Sequence, residues 1–212
     1  MLGHTLLVSA HVAAVSVGFG AAMIADWIVL TRMTFVDVAQ RPVAQVTELS
    51  RAVAAGLCLA WVTGLALVAD NWAANPATIL NEKLWAKVVI VAILTLNGVL
   101  LHHFALPLMQ RRVGGPMFGK RGTVALLSCT LLAAVSLTGW TSGLLLGLAR
   151  ELNGVVKMTN VLVAAAVTWQ AAWFFGALLA FVAQWRLLGK AAAAGDAGLR
   201  APRALIGSPA VQ

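Results

Sequence analysis

Residues 52–69 read AVAAGLCLAWVTGLALVA, a run without a single charged side chain. A helix that crosses a bilayer needs about 20 mostly apolar residues, within a range of about 17–25. Four other stretches meet that length: residues 5–30, 84–109, 123–148 and 158–185. Backbone groups in hydrocarbon must be satisfied within their own segment, so each stretch is expected to be a helix. The alternation of a membrane β-barrel is absent. The chain therefore reads as all-α, a polytopic bundle of five transmembrane helices over residues 1–186. Pro42, Pro76 and Pro116 fall in the short connections, and residues 187–212, rich in Ala and Gly with Pro202 and Pro209, read as a flexible cytoplasmic tail.

Composition agrees with the spans. Of 212 residues, 61% are hydrophobic and 10% charged, against about 45–50% and about 25% in soluble domains. That balance excludes an ordinary cytosolic enzyme, a disordered chain and a nucleic-acid-binding module. The net charge of +8 sits beside a mean hydropathy of +0.90, so the basic residues are assigned to orienting loops. Arg32, Arg41, Arg51, Arg111, Arg112, Lys120, Arg121, Arg186, Lys190, Arg200 and Arg203 fall on one side of a five-span chain; only Lys83, Lys87, Arg150 and Lys157 fall on the other. The positive-inside rule then places the N-terminus outside and the tail in the cytoplasm. No Lys or Arg precedes the first run, so an uncleaved first helix is expected rather than a signal peptide. Cys58 and Cys129 form no CxxC or His/Cys cluster and read as small buried side chains.

The second span has an echo in the fourth. Ala60-Trp61-Val62-Thr63-Gly64-Leu65-Ala66-Leu67 matches Gly139-Trp140-Thr141-Ser142-Gly143-Leu144-Leu145-Leu146, and each copy precedes a span opening near a lysine, Lys87 or Lys157. Helices two and three are thus expected to form one hairpin, and helices four and five a second in parallel. Gly139, Gly143 and Gly147, and Gly56, Ala60 and Gly64, recur every fourth residue and allow close helix approach. Such stripes serve packing within the bundle, or against another copy or a larger membrane complex.

Ionisable groups within a span are costly and mark candidate sites. Here they are His11, Asp26, His102 and His103, with Asn97 and Gln170 as neutral additions. At a rise of 1.5 Å per residue, His11, Thr63 and Ser142 lie about 9 Å below the outer end of the bundle, and Trp61 and Trp140 about 12 Å below it. Lys87 and Lys157 lie just above. Imidazole, indoles, hydroxyls and lysines in one layer suit a flat, anionic, largely apolar ligand such as haem b or another porphyrin. The plain alternative is tryptophan at the membrane interface and hydroxyls bonded within their own helices. His102 and His103 lie about 27–29 Å down, near Asp26. His102 shares a stripe with Lys87, Val91, Leu94 and Gly98 and is expected to face the bundle, with His103 turned about 100° away. Asp26 and His102 are candidates for a proton relay, His11 and His102 for metal binding. The level difference of about 18 Å argues against one haem held by both histidines; His4, one heptad before His11, is a candidate partner for an outer site. Pro107 removes the hydrogen bond to the His103 carbonyl and is expected to bend the helix there.

An inward histidine in the first span, a second span with a Gly-Leu-x-Leu run and a third opening Trp85-Ala86-Lys87 resemble the membrane-bound bacterial protoporphyrinogen oxidase family and the related copper-resistance D membrane domain. The resemblance covers roughly residues 6–106. It implies a multi-pass protein of the bacterial inner membrane, and roles for His11 and Lys87 toward a tetrapyrrole. Two features depart from the family: Asp26-Trp27 and Thr31-Arg32 stand where an aromatic-rich Pro-Arg ending is expected, and an Arg-x-x-Asn-Glu-type segment is missing near the end. The resemblance thus implies the fold with a different task. Three functions stay open: a haem- or porphyrin-binding redox protein, a copper, ion or proton transport protein, and an accessory subunit of a membrane complex. No hydrolase motif, P-loop or nucleotide fingerprint is present.

Overall fold

In the computed structural model, residues 2–118 and 122–200 are described. Their elements are helices and connecting turns: α1 (Leu2–Arg32), α2 (Gln40–Ala74), α3 (Glu82–Arg111), α4 (Thr123–Leu148) and α5 (Met158–Arg200). All five are long and apolar enough to cross a membrane. The bounds of α4 are those expected. Helix α2 starts twelve residues early, at Gln40, because Pro42 falls in its first turn, where a missing N–H costs nothing. Helix α5 runs past Trp185 into the stretch expected to be a tail, up to Arg200, through the helix-favouring Ala191–Ala194. The remainder of the tail, 201–212, lies outside the described residues.

Consecutive helices run antiparallel, so the bundle has a near end, where α1 begins, and a far end. Helices α1 and α2 touch backbone to backbone: a Cβ on Gly56 would stand 2.7 Å from the Gly18 Cα and 3.0 Å from the Ala14 carbonyl oxygen. Helix α3 lies on α4, where the Leu94 side chain fills the space a Cβ on Gly139 would need, at 2.8 Å. Asn97 Nδ2 donates to the Leu132 carbonyl at 3.1 Å. Helix α5 is held to α4 by Trp173 Nε1, which donates to the Leu127 carbonyl at 3.0 Å. The Trp140 ring of α4 sits against Gly18, joining the two halves.

Each end is fastened by its loops. At the far end, Val38 N–H donates to the Gly115 carbonyl (2.9 Å) and Gly114 N–H to the Val38 carbonyl (2.8 Å). Gly114 has φ +90°, a conformation glycine adopts without a Cβ clash. Met33, Val38, Met109, Met117 and Phe118 bury themselves beneath this strap. At the near end, Glu82 and Lys83 act on two helix termini. Lys83, 1% exposed, donates to the Ala149 carbonyl at the end of α4 and to Asn153 Oδ1 at 3.0 Å. Glu82 Oε2 accepts from the Met158 N–H that opens α5, at 2.7 Å. A cation thus meets a helix C-terminus and an anion a helix N-terminus, as the helix dipoles favour.

Helix α3 is not α-helical throughout. Leu101–Ala105 form a π turn. Pro107 lacks the N–H that would bond the His103 carbonyl, and Leu106 N–H reaches back five residues to Leu101.

Candidate functional site

The bundle holds two polar levels. At the near-end level, His11 Nδ1 lies 2.9 Å from Thr63 Oγ1. Thr63 Oγ1 already donates its one proton to the Leu59 carbonyl at 2.6 Å. With the Thr63 proton on the Leu59 carbonyl, Nδ1 is the donor to Thr63 Oγ1 and Nε2 carries the lone pair; the ring also meets the Ala60 backbone. Gly64 makes room for the ring: a Cβ there would stand 3.2 Å from His11 Cε1. Lys87, half-buried on α3, lies within electrostatic range of the imidazole.

The expected layer of six residues is only partly assembled. His11, Thr63 and Lys87 come together. Trp61 is turned to α3, where its Nε1 donates to Thr95 Oγ1 at 2.9 Å. Trp140, 5% exposed, packs on Gly18 and faces the other level. Ser142 is half-buried on α4 and makes no bond to His11. The two Trp-x-[Thr/Ser]-Gly copies therefore occupy different surroundings, because α2 packs on α1 while α4 is wedged between α1, α3 and α5. The hydroxyls also bond within their own helices, Thr63 to Leu59 and Thr141 to Leu137. His4 does not join His11; its Nδ1 pairs with Asp70 Oδ2 at 2.6 Å.

The second level is a chamber of about 460 Å³ between α1, α2, α3 and α4. Its lining is apolar apart from a few groups, among them Asp26, Ser50, Asn97, His102, His103 and Ser136. Ser136 lies within interaction range of the Asp26 carboxyl. Asp26 Oδ2 and Asn97 Oδ1 are buried and have no hydrogen-bond partner. Asp26 and His102 share the chamber wall, but no bond joins them among the described residues. His103, expected to turn away from His102, also lines the chamber, and the two rings stand edge to face with centroids 5.4 Å apart. Both histidines lie in the π turn Leu101–Ala105, whose wider winding shifts the register of the residues around it relative to an unbroken α-helix. Sequence reasoning missed Ser136 and the full role of Asn97; a polar side chain within an apolar span was the signal available for both.

Among the described residues, no three His, Cys, Asp or Glu side chains gather into a metal site. His11 sits at Thr63 and His102 on the chamber, whose lining does not include His11. The chain matches no protein-family model, no curated protein and no solved structure.

Proposed function

We propose that this chain is a bacterial inner-membrane protein that binds haem b or another porphyrin at the near-end level, through His11. The observation that carries this is the His11–Thr63 contact: with Thr63 Oγ1 donating to Leu59, it supports the Nδ1–H form of the ring with Nε2 as the lone-pair donor. Ligating histidines commonly donate their other ring N–H to a neighbouring oxygen in this way. Lys87 offers a cation to the carboxylates of a porphyrin. Trp61 and Trp140 are reassigned to packing, and Ser142 is left without a role. A bound haem would supply one-electron chemistry at its iron; the residues of this chain orient and charge-match it. The resemblance to the protoporphyrinogen oxidase and copper-resistance D families points the same way.

In this reading the near end faces the periplasm, which the eleven-to-four division of Lys and Arg supports. The repeat of helices two and three in four and five remains part of the proposal through its shared sequence. Tagging both ends of the chain tests the topology: an N-terminal tag outside and a C-terminal tag inside is expected. The ligand is tested by expressing the protein with haem supplied and recording its absorption in detergent. A Soret band lost in His11→Ala and kept in His102→Ala is expected; no band in the wild type overturns the reading.

A second reading, proton or copper handling, draws on Asp26 and His102 lining one chamber. If it holds, His102→Ala changes uptake or metal content in intact cells, and unchanged values remove it.

A further inference from the structure

The far-end chamber has a chemistry of its own, independent of His11. Its volume of about 460 Å³ falls within the range of small-molecule sites, about 300–1,000 Å³. Such sites are mostly apolar with a few polar groups that fix orientation, and this lining has that character.

The two polar atoms of the chamber that lack partners share one property. Asn97 is 4% exposed, and its Nδ2 donates to the Leu132 carbonyl. A carbonyl can only accept, so the amide orientation is settled and Oδ1 is an acceptor. Asp26 Oδ2 is likewise an acceptor when ionised. Both lack a donor. Buried groups of this kind are costly unless something satisfies them. No Lys or Arg is among the residues lining the chamber, so an ionised Asp26 has no fixed countercharge there. The Trp140 indole also lines it, and an aromatic face attracts cations. His102 and His103 also line it, and both are exposed.

We infer that the chamber binds an organic ammonium: a protonated amine on an apolar body, its N–H groups donating to Asp26 and Asn97 and its charge matched by Asp26. An anionic ligand brings no donor and meets a carboxylate. A neutral alcohol supplies one donor without the charge.

Three probes with one ring system separate these cases: 2-(1-naphthyl)ethylamine, 2-(1-naphthyl)ethanol and 1-naphthylacetate. Each is titrated at pH 7.5 against the full chain in lipid nanodiscs, with empty nanodiscs subtracted. Saturable binding of the amine is expected, at least tenfold tighter than the alcohol, with none for the carboxylate. Asp26→Asn should weaken the amine at least tenfold and Asn97→Ala several-fold, while His11→Ala leaves it unchanged and so separates this site from the near-end level. The wild-type ranking does not depend on how any variant folds. Equal binding of the amine and the alcohol, binding of the carboxylate, no saturable amine binding, or full affinity in a folded Asp26→Asn protein overturns the assignment.

Discussion

His11 and Thr63 form the middle rung of a three-rung ladder between α1 and α2. His4 meets Asp70 at 2.6 Å, His11 meets Thr63 at 2.9 Å, and Gly18 faces Gly56 across bare backbone. Each rung lies seven residues from the next on both helices, in opposite directions. A seven-residue repeat keeps one seam of each helix turned to its partner. The imidazole is thus held by the same register that packs the helices, with the glycine rung setting how closely they approach.

That register predicts the effect of Thr63→Val, which keeps the shape and removes the oxygen. His11 loses the acceptor that fixes its tautomer, and the ring is freer to turn. Polar bonds between membrane helices contribute only about 0.6 kcal/mol on average, so the fold should survive. Haem absorbance should fall in Thr63→Val and persist in Thr63→Ser, which retains a hydroxyl. Equal spectra in both variants would show that Thr63 does not orient the histidine.

The glycine stripes divide into two kinds. At Gly56 a methyl group would meet backbone at 2.7 Å, and backbone cannot swing aside. Gly56→Ala should push α1 from α2 and lower stability by about 1–3 kcal/mol, the usual cost of overpacking. Nothing lies within 4 Å of a Cβ placed on Gly143 or Gly147. Gly143→Ala should be neutral or slightly stabilising, since alanine favours the helix. Unfolding midpoints of the two variants, measured side by side in detergent, check the contrast.

Lys83 and Glu82 invite a paired test. Replacing Lys83 by Met leaves the last carbonyls of α4 to water at a partly exposed corner, so the cost should sit near 1 kcal/mol, the low end for a lost buried partner. Glu82→Gln weakens an exposed contact and should cost less still. If Glu82→Gln lowers the unfolding midpoint more than Lys83→Met, the near-end fastening has been misjudged.

Much of the bundle was legible because the bilayer imposes length and apolarity on each span; residues 123–148 could be bounded to the residue. The His11–Thr63 meeting was legible too, since antiparallel helices of known rise place both at one depth. What failed was rotation about the helix axis. Depth brought Trp61 and Trp140 to the level of His11, but Trp61 faces Thr95 and Trp140 faces Gly18. The seven-residue spacing of Asp70, Thr63 and Gly56, matched to that of His4, His11 and Gly18, carried the missing angular information. Lys83 was read only as a loop charge, because its partners, Ala149 and Asn153, are reached through the fold rather than along the helix.

Rotation also decides the last prediction, at Pro107. His102 and His103 both line the chamber from within the π turn, whose register differs from that of an unbroken α-helix. Its Leu106-to-Leu101 bond spans five residues, and the His103 carbonyl has no donor from position 107. Pro107→Ala restores that donor and lets α3 run through as an ordinary helix. In hydrogen exchange followed by mass spectrometry, peptides covering 101–106 should exchange faster than those covering 90–100 in the wild type, and the difference should close in Pro107→Ala. The same variant should turn one of the two histidines off the chamber, so that a cysteine at position 103 reacts with a thiol reagent at a rate different from that of His103→Cys alone. If neither exchange nor labelling changes, the turn is set by packing around Met109 and Ala105 rather than by the proline.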